Sequence, residues 1–245
     1  LTSDGNEQII NGTFDWVYEE ELSCRDGFRW SPDSKKISFW QMDTEGTGTF
    51  YLINNIDSIY PKIIPLPYPK VGTDNSSAKI GTITLADKKI TWMDIPGDPR
   101  NNYLARMEWA NSSDELIIQQ LNREQNTNKV YFADVATGKA KVVYTEKVET
   151  WLDVYDEMYW LNNGKEFTWL SDNTGWLHLN RVAWQNGKMT PITSGNFEVI
   201  DLLKIDDVNG WAYYIASPDN ATQRYLFRSS LNGKGKPERL SPMNQ

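Results

Sequence analysis

A turn signature recurs at almost even intervals along this chain. Four short segments combine turn-forming residues with a lysine, namely Ala86-Asp87-Lys88, Thr137-Gly138-Lys139, Asn186-Gly187-Lys188 and Asn232-Gly233-Lys234. Their central residues are 51, 49 and 46 positions apart. Asn-Gly pairs favour the tight turns whose twist matches that of two paired strands. The spacing therefore predicts one β-hairpin of this kind in each repeated unit of the chain.

A second hairpin precedes each of these turns. Its pattern is an apolar strand end, a polar turn and a new apolar strand, and it starts at Trp30, Trp109, Trp160 and, in a degenerate copy, Ile205. Two hairpins per unit make a four-stranded antiparallel sheet, and such sheets in series are the blades of a β-propeller. We therefore predict an all-β chain, part of a β-propeller, with about four consecutive blades. A β-sandwich with fortuitous spacing is the alternative.

The first unit is longer than the others. Trp30 and Trp109 are 79 positions apart, whereas Trp109 and Trp160 are 51 positions apart. The excess lies around residues 54–77, whose prolines cannot donate hydrogen bonds within a central strand, so we expect an excursion at the sheet edge. The predicted divisions are the end of a preceding blade plus an acidic segment (1–24), a blade with a long insertion (25–100), and three further blades (101–148, 149–195 and 196–245).

Four blades leave open edge strands at both ends of the series. The chain also begins with Leu1, inside a patterned stretch. We therefore expect an excised part of a longer protein.

Composition excludes several classes of function. Twenty-five Lys and Arg face 33 Asp and Glu, and the net charge of -8 disfavours nucleic acid as a partner. One Cys and one His are too few for a His/Cys zinc site, so neither a metal nor another cofactor is expected. Cys24 and His178 could formally act as nucleophile and base, but a lone Cys is usually a packing residue. His178, between Leu177 and Leu179, is interpreted as structural. No apolar run approaches the roughly 18 residues of a membrane helix.

One segment interrupts the repeat. Asp15-Trp16-Val17-Tyr18-Glu19-Glu20-Glu21 places three carboxylates in succession beside two aromatic residues, a pattern that does not alternate as a strand does. In a short helical turn, neighbouring side chains diverge by about 100°, so two adjacent carboxylates can reach one cationic ligand. A solvated acidic face is the alternative interpretation of the charges alone.

These seven residues resemble the signature of dipeptidyl peptidase IV and its relatives. The similarity continues through Trp30-Ser31-Pro32-Asp33, Tyr60-Pro61-Lys62 and Tyr68-Pro69-Lys70-Val71-Gly72. In the later blades it rests on the repeat more than on identical motifs, although residues 171–176 are similar to a turn of the family. The resemblance covers the whole chain, and its specificity lies in residues 15–72.

The resemblance implies a serine peptidase that releases N-terminal dipeptides of the Xaa-Pro or Xaa-Ala type. Its substrate would enter between an eight-bladed propeller and a C-terminal α/β-hydrolase domain that this chain does not include. By the same resemblance, Glu20 and Glu21 bind the free α-ammonium of the peptide, and Glu19 is structural. A homodimer of the full-length protein and a periplasmic, secreted or cell-surface location are also implied.

The catalytic residues of such an enzyme are not recognisable here. No serine has glycines two positions before and two positions after it, as an α/β-hydrolase nucleophile has. We therefore expect this chain alone to be inactive, and we interpret Trp151 as a core residue rather than a site residue. Two alternatives remain open: the propeller of a prolyl tripeptidyl peptidase, and a non-catalytic propeller that binds proteins.

Overall fold

The computed structural model describes residues 1–242, and nearly all of its regular structure is β-strand. The chain divides into two compact units, Leu1–Val154 and Tyr155–Gln245. In chain order the elements are β1 (Ile9–Asn11), α1 (Trp16–Glu21), β2 (Phe28–Trp30), β3 (Lys36–Asp43), β4 (Thr49–Asn54), β5 (Lys62–Pro67), β6 (Ser77–Thr84), β7 (Ile90–Trp92), β8 (Asn102–Trp109), β9 (Glu115–Asn122), β10 (Thr127–Asp134), β11 (Ala140–Lys147), β12 (Trp160–Leu161), β13 (Glu166–Ser171), β14 (His178–Ala183), β15 (Met189–Pro191), β16 (Val199–Asp206), β17 (Trp211–Ala216), β18 (Tyr225–Ser230) and β19 (Glu238–Arg239).

The first sheet of the first unit has an edge strand in two pieces. β1 and β2 both pair with β3, which pairs on its other side with β6, and β6 pairs with β7. Ile9–Asn11 therefore belong to this sheet, and the expectation that residues 1–24 include the end of a preceding blade is wrong for them. The two pieces of this edge strand are separated in the sequence by residues 12–27, so the sequence pattern does not show that β1 and β2 belong to the same sheet.

The second sheet is a simple antiparallel meander in the order β11-β10-β9-β8. Most residues of its central strands β9 and β10 are buried, including the apolar run Leu116-Ile117-Ile118 in β9. Its residues pack with those of the first sheet and of α1 in one apolar cluster, whose most deeply buried members include Tyr18, Trp40, Met42, Ile80, Met107, Leu116, Ile118 and Tyr131.

The predicted excursion of the first blade is a separate two-stranded hairpin. β4 and β5 pair only with each other, in register from Thr49 opposite Pro67 to Asn54 opposite Lys62. Prolines are tolerated in β5 because a two-stranded ribbon contains no central strand. We call this hairpin the arm (residues 49–67). It exposes a run of apolar side chains: Phe50, Tyr51, Leu52, Ile53, Ile56, Ile59, Tyr60, Ile63 and Ile64.

The second unit contains two further four-stranded antiparallel sheets. Their strand orders are β12-β13-β14-β15 and β16-β17-β18-β19. The core of this unit is aromatic and aliphatic, and includes Leu161, Leu179, Val199, Ala212, Tyr214 and Phe227. The prediction of four consecutive antiparallel blades in an all-β chain is therefore confirmed, and each blade begins and ends with a hairpin as the repeats indicate.

Two of the repeated turns also join one sheet to the next within a unit. Gly138 has φ +74°, and its carbonyl oxygen accepts a 2.8 Å hydrogen bond from the backbone N–H of Asp94, which follows β7. A Cβ atom at Gly138 would lie 2.2 Å from the carbonyl oxygen of Trp92. Gly233 has φ +72°, and a Cβ atom there would lie 2.3 Å from the carbonyl oxygen of Pro191. These two positions need glycine for both conformation and space.

Candidate functional site

The acidic segment leaves and rejoins the sheet at a single residue of β3. The backbone N–H of Gly12 donates to the carbonyl oxygen of Trp40 at 2.9 Å. The backbone N–H of Trp40 in turn donates to the carbonyl oxygen of Gly27 at 3.0 Å. A Cβ atom at Gly27 would lie 2.5 Å from the carbonyl carbon of Gly12, so the two ends of the segment are in contact. Residues 12–27 are therefore a compact loop with closed ends, and we call it the inserted loop.

A side-chain cap starts the helix of this loop. Asp15 precedes α1 in an extended conformation, and its Oδ1 accepts a 3.1 Å hydrogen bond from the backbone N–H of Tyr18. Such a cap satisfies one of the donors that a helix leaves unpaired at its start. Val17 and Tyr18 face the core, while the glutamates follow on the outer side. The short helical acidic insertion predicted from the sequence is confirmed.

Tyr18 attaches the helix to the second sheet. Its side chain is 1% exposed, and its hydroxyl oxygen accepts a 2.9 Å hydrogen bond from the backbone N–H of Leu104 in β8. The register of β8 against β9 shifts between Leu104 and Arg106, which frees this N–H from the ladder. Burial raises the pKa of Tyr18 well above its usual range, so the phenol remains neutral.

The chain beyond the helix is held by the same bulge. The guanidinium of Arg106 donates from Nη1 to the carbonyl oxygen of Leu22 at 2.9 Å. Cys24 lies beside it, with its Sγ 3.5 Å from the carbonyl oxygen of Ala105. Between them Ser23 adopts φ +56°, a left-handed conformation that serine rarely takes. The segment that carries the glutamates is thus fixed at both of its ends.

The three glutamates have different surroundings. Glu19 forms a 3.3 Å ion pair with Arg25 inside the inserted loop. Glu21 is exposed, and its Oε1 accepts a 3.0 Å hydrogen bond from Nε2 of Gln125. Glu20 is also exposed, and across residues 1–242 its carboxylate has neither a hydrogen bond nor an ion pair. Glu20 and Glu21 together present an accessible pair of acceptors, whereas Glu19 has a local cation.

A pocket of about 340 Å³ adjoins Glu21. Its walls come from the end of α1 and the two residues after it, from β8, from the turn after β9 and from the segment after β11: Glu21, Leu22, Ser23, Arg106, Gln125, Trp151, Leu152, Asp153 and Val154. Trp151 is 50% exposed on this pocket, so its interpretation as a core residue is wrong. The adjacent Leu152 is buried in its place, at 5% exposed.

His178 has no free ring nitrogen. It is 4% exposed, with Nδ1 at 3.1 Å from Oγ1 of Thr193 and Nε2 at 3.0 Å from the carbonyl oxygen of Gly195. A carbonyl oxygen only accepts, so Nε2 carries the proton. The ring also packs edge-on against Phe197. The interpretation of His178 as structural is confirmed.

Residues 1–242 contain neither a metal-binding cluster nor a membrane-spanning helix. No group of three or more His, Cys, Asp or Glu side chains in this part of the chain is placed to hold a metal ion. No helix in the same range is long and apolar enough to cross a membrane.

The residues that position the site were not accessible to sequence reasoning. Tyr18, Arg106 and Gln125 act across separations of 84–104 positions in the chain, and no local pattern indicates such pairings. The bulge in β8 also has no sequence signal, because the strand alternates poorly around Ala105. Only Asp15, as a helix cap before an apolar pair, could have been found from its position.

The fold and the site define a class of protein: a section of a β-propeller whose first blade carries an acidic helix inserted into its edge strand. The sequence profile described as "Dipeptidyl peptidase IV (DPP IV) N-terminal region" matches residues 1–245. The chain belongs to this family.

Known relatives agree with this assignment. The chain is 30% identical to the "Probable dipeptidyl peptidase 4" of Emericella nidulans over 94% of its length, and 28% identical to the "Dipeptidyl peptidase 4" of Trichophyton rubrum over 96%. The crystal structure of Porphyromonas gingivalis dipeptidyl peptidase 4 superposes with a TM-score of 0.88, at 27% identity, over 98% of the chain. The chain spans 32% of each of these two fungal proteins and 34% of the crystal structure's chain.

Proposed function

We propose that the full-length protein containing this chain is a serine peptidase that releases N-terminal dipeptides, and that Glu20 and Glu21 bind the substrate's free α-ammonium. One observation carries the proposal. Two adjacent carboxylates are exposed on a helix held at both ends by contacts to another sheet, and Glu20 has no partner among the described residues. Stabilising the loop alone would not require an unpaired carboxylate.

The chemistry of an ammonium group suits this pair. An ammonium carries three N–H donors and no acceptor, and it prefers ionised oxygens, which give short, charge-assisted hydrogen bonds. Glu20 offers both carboxylate oxygens, and Glu21 still offers Oε2 while Oε1 is bonded to Gln125. Holding the N terminus fixes how many residues lie between it and the bond to be cut. The pair therefore contributes to the reaction by positioning the substrate.

The bond-breaking residues belong, in this proposal, to a C-terminal α/β-hydrolase domain beyond this chain. The absence of a Gly-x-Ser-x-Gly motif and the fully bonded ring of His178 support that assignment. A homodimer of the full-length protein and a periplasmic, secreted or cell-surface location follow from the family resemblance and are proposed on that basis.

Replacing each glutamate with glutamine in the full-length enzyme tests the anchor. Glu20→Gln and Glu21→Gln keep the side chain's shape but remove its charge. A hydrogen bond to a charged group contributes about 1.5–3 kcal/mol, so each change should lower kcat/KM by roughly 10- to 150-fold on Xaa-Pro substrates with a free N terminus. Glu19→Gln is the matched control, because its carboxylate pairs with Arg25 and should leave kcat/KM nearly unchanged.

N-acetylated substrates separate anchoring from general damage. They have no ammonium, so Glu20→Gln and Glu21→Gln should cost little further activity on them, and the two changes should be strongly coupled. Equal losses on free and acetylated substrates would contradict the anchor. The released product distinguishes the related alternative: dipeptides support this proposal, whereas tripeptides indicate a prolyl tripeptidyl peptidase.

A further inference from the structure

The turn between β9 and β10 contains a residue, Gln125, with an unfavourable backbone conformation. Gln125 is 7% exposed and adopts φ +51°, the left-handed conformation that glycine and asparagine take most readily. Nothing in the hairpin itself requires glutamine there. Its backbone N–H completes the turn by donating to the carbonyl oxygen of Asn122 at 3.0 Å, a bond that any residue except proline can make. The turn therefore gives no reason for a glutamine side chain at this position.

That side chain reaches the acidic helix. Nε2 of Gln125 donates to Oε1 of Glu21 at 3.0 Å, across 104 positions of the chain. The backbone of the same residue contacts a different wall of the pocket, because its carbonyl oxygen accepts a 2.8 Å hydrogen bond from the N–H of Leu152. Gln125 therefore connects Glu21 with the segment that follows β11.

Two of the six non-glycine residues with positive φ in residues 1–242 line this pocket. Ser23 and Gln125 both line it, and both have positive φ values, +56° and +51°. Non-glycine residues in this conformation persist where the surrounding structure demands them, often at functional sites. Ser23 follows Glu21 and Leu22 at the end of the helix, and Gln125 contacts Glu21 through its side-chain amide.

We infer that Gln125 is a positioning residue for the substrate anchor. Its amide holds Oε1 of Glu21 in place, so that Oε2 is oriented toward the substrate's ammonium before the substrate arrives. A flexible exposed glutamate would lose side-chain freedom on binding, and a glutamate already held by a buried amide loses less of it. This inference rests on the proposed function, since it assigns Gln125 a role only if Glu21 binds the ammonium.

Two substitutions in the full-length enzyme remove the contact without adding backbone strain. Gln125→Asn keeps the amide but is one methylene shorter, and Gln125→Gly removes the side chain; both residues accept a left-handed conformation. Each should lower kcat/KM on free N-terminal dipeptide substrates by about 3- to 15-fold, chiefly through a higher KM. The thermal unfolding midpoint should be unchanged or higher. N-acetylated substrates should show almost no change.

Two controls complete the experiment. Lys88→Gly relieves a comparable left-handed residue, φ +59°, in a turn that does not line the pocket, and should leave KM unchanged. Combining Gln125→Gly with Glu21→Gln should give no greater loss than Glu21→Gln alone, because the positioned charge is already gone.

The outcomes separate the two proposals. If Glu20→Gln and Glu21→Gln discriminate between free and acetylated substrates but the Gln125 variants do not, the positioning role is overturned and the anchor stands. If the glutamate variants themselves show no discrimination, the anchor and the role of Gln125 are both overturned. Equal losses for the Gln125 variants on both kinds of substrate would show a merely structural residue.

Discussion

At the scale of single residues, Tyr18 anchors the inserted loop to the core through both its ring and its hydroxyl group. Its ring lies among core aromatics, with its centroid 5.6 Å from that of Phe14 and 6.1 Å from that of Tyr103. Its hydroxyl accepts the N–H of Leu104 at the bulge of β8. A helix of six residues has little stability of its own, so it depends on such tertiary contacts.

Tyr18→Phe should therefore destabilise the protein while preserving its packing. The change removes only the hydroxyl and leaves the N–H of Leu104 buried without an acceptor, which costs about 1–3 kcal/mol. For a protein of this size the thermal unfolding midpoint should fall by about 2–4 °C per kcal/mol. Tyr51→Phe, at a position 63% exposed in the arm, is the control and should have almost no effect. An unchanged midpoint for Tyr18→Phe would contradict the assigned hydrogen bond.

Residue roles could be predicted only where they are local. Asp15 and the three glutamates stand together in the sequence, and their helix was predicted from the failure of strand alternation. Gln125 and Arg106 were missed because their partners are far away in the chain. Trp151 was misassigned for a related reason: tryptophan is usually buried, and only the structure shows that Leu152 fills the core beside it.

At the scale of elements, two of the repeated turns are also points of close contact between consecutive sheets. Gly138 and Gly233 bring a backbone so near to the last strand of the preceding sheet that no side chain fits. The sequence predicted the hairpins, since Asn-Gly pairs have a known turn preference. It did not predict these close approaches, because the sequence does not distinguish a glycine needed for a positive φ from one needed because a Cβ atom would clash.

Alanine substitution distinguishes the two requirements. Gly210 has φ +75°, and a Cβ atom there would have no neighbour within 4 Å, so Gly210→Ala should cost only the left-handed penalty of roughly 1–2 kcal/mol. Gly138→Ala and Gly233→Ala meet the same penalty and in addition a backbone oxygen, so each should cost about 1–3 kcal/mol more. Chemical denaturation of the three variants measures the difference. Equal losses would mean that the sheets separate easily at these turns.

At the scale of the whole molecule, the two compact units divide the chain into pairs of blades, and the strands of the arm pair with no strand of the four blades. The number and antiparallel form of the blades were predictable, because the repeat spacing is set by strand and turn lengths. The assignment of β1 was not, because pairing between β1 and β3 crosses about 30 residues of intervening chain that include the inserted loop.

The chain of 245 residues on its own should hydrolyse no Xaa-Pro chromogenic substrate. Its one histidine has both ring nitrogens bonded, and its sequence has no α/β-hydrolase nucleophile motif. The measurement needs material labelled with a covalent serine-hydrolase probe, to show that no host peptidase is present. Turnover by a preparation that takes up no probe would refute the expectation.

The contact between the two ends of the inserted loop affects how the length of this loop can change in evolution. Gly12 and Gly27 are both bonded to Trp40, so the sheet meets the same two ends whatever lies between them. The free energy of closing a loop grows only slowly with its length. Insertions or deletions between Thr13 and Asp26 would therefore leave β3 and its partners in register, while the place of α1 is set separately by the contacts of Tyr18 and Leu22 with β8. Descendants of one gene could in this way acquire inserted loops of different length, and under the proposed function a different reach toward the substrate's N terminus, without rebuilding a blade.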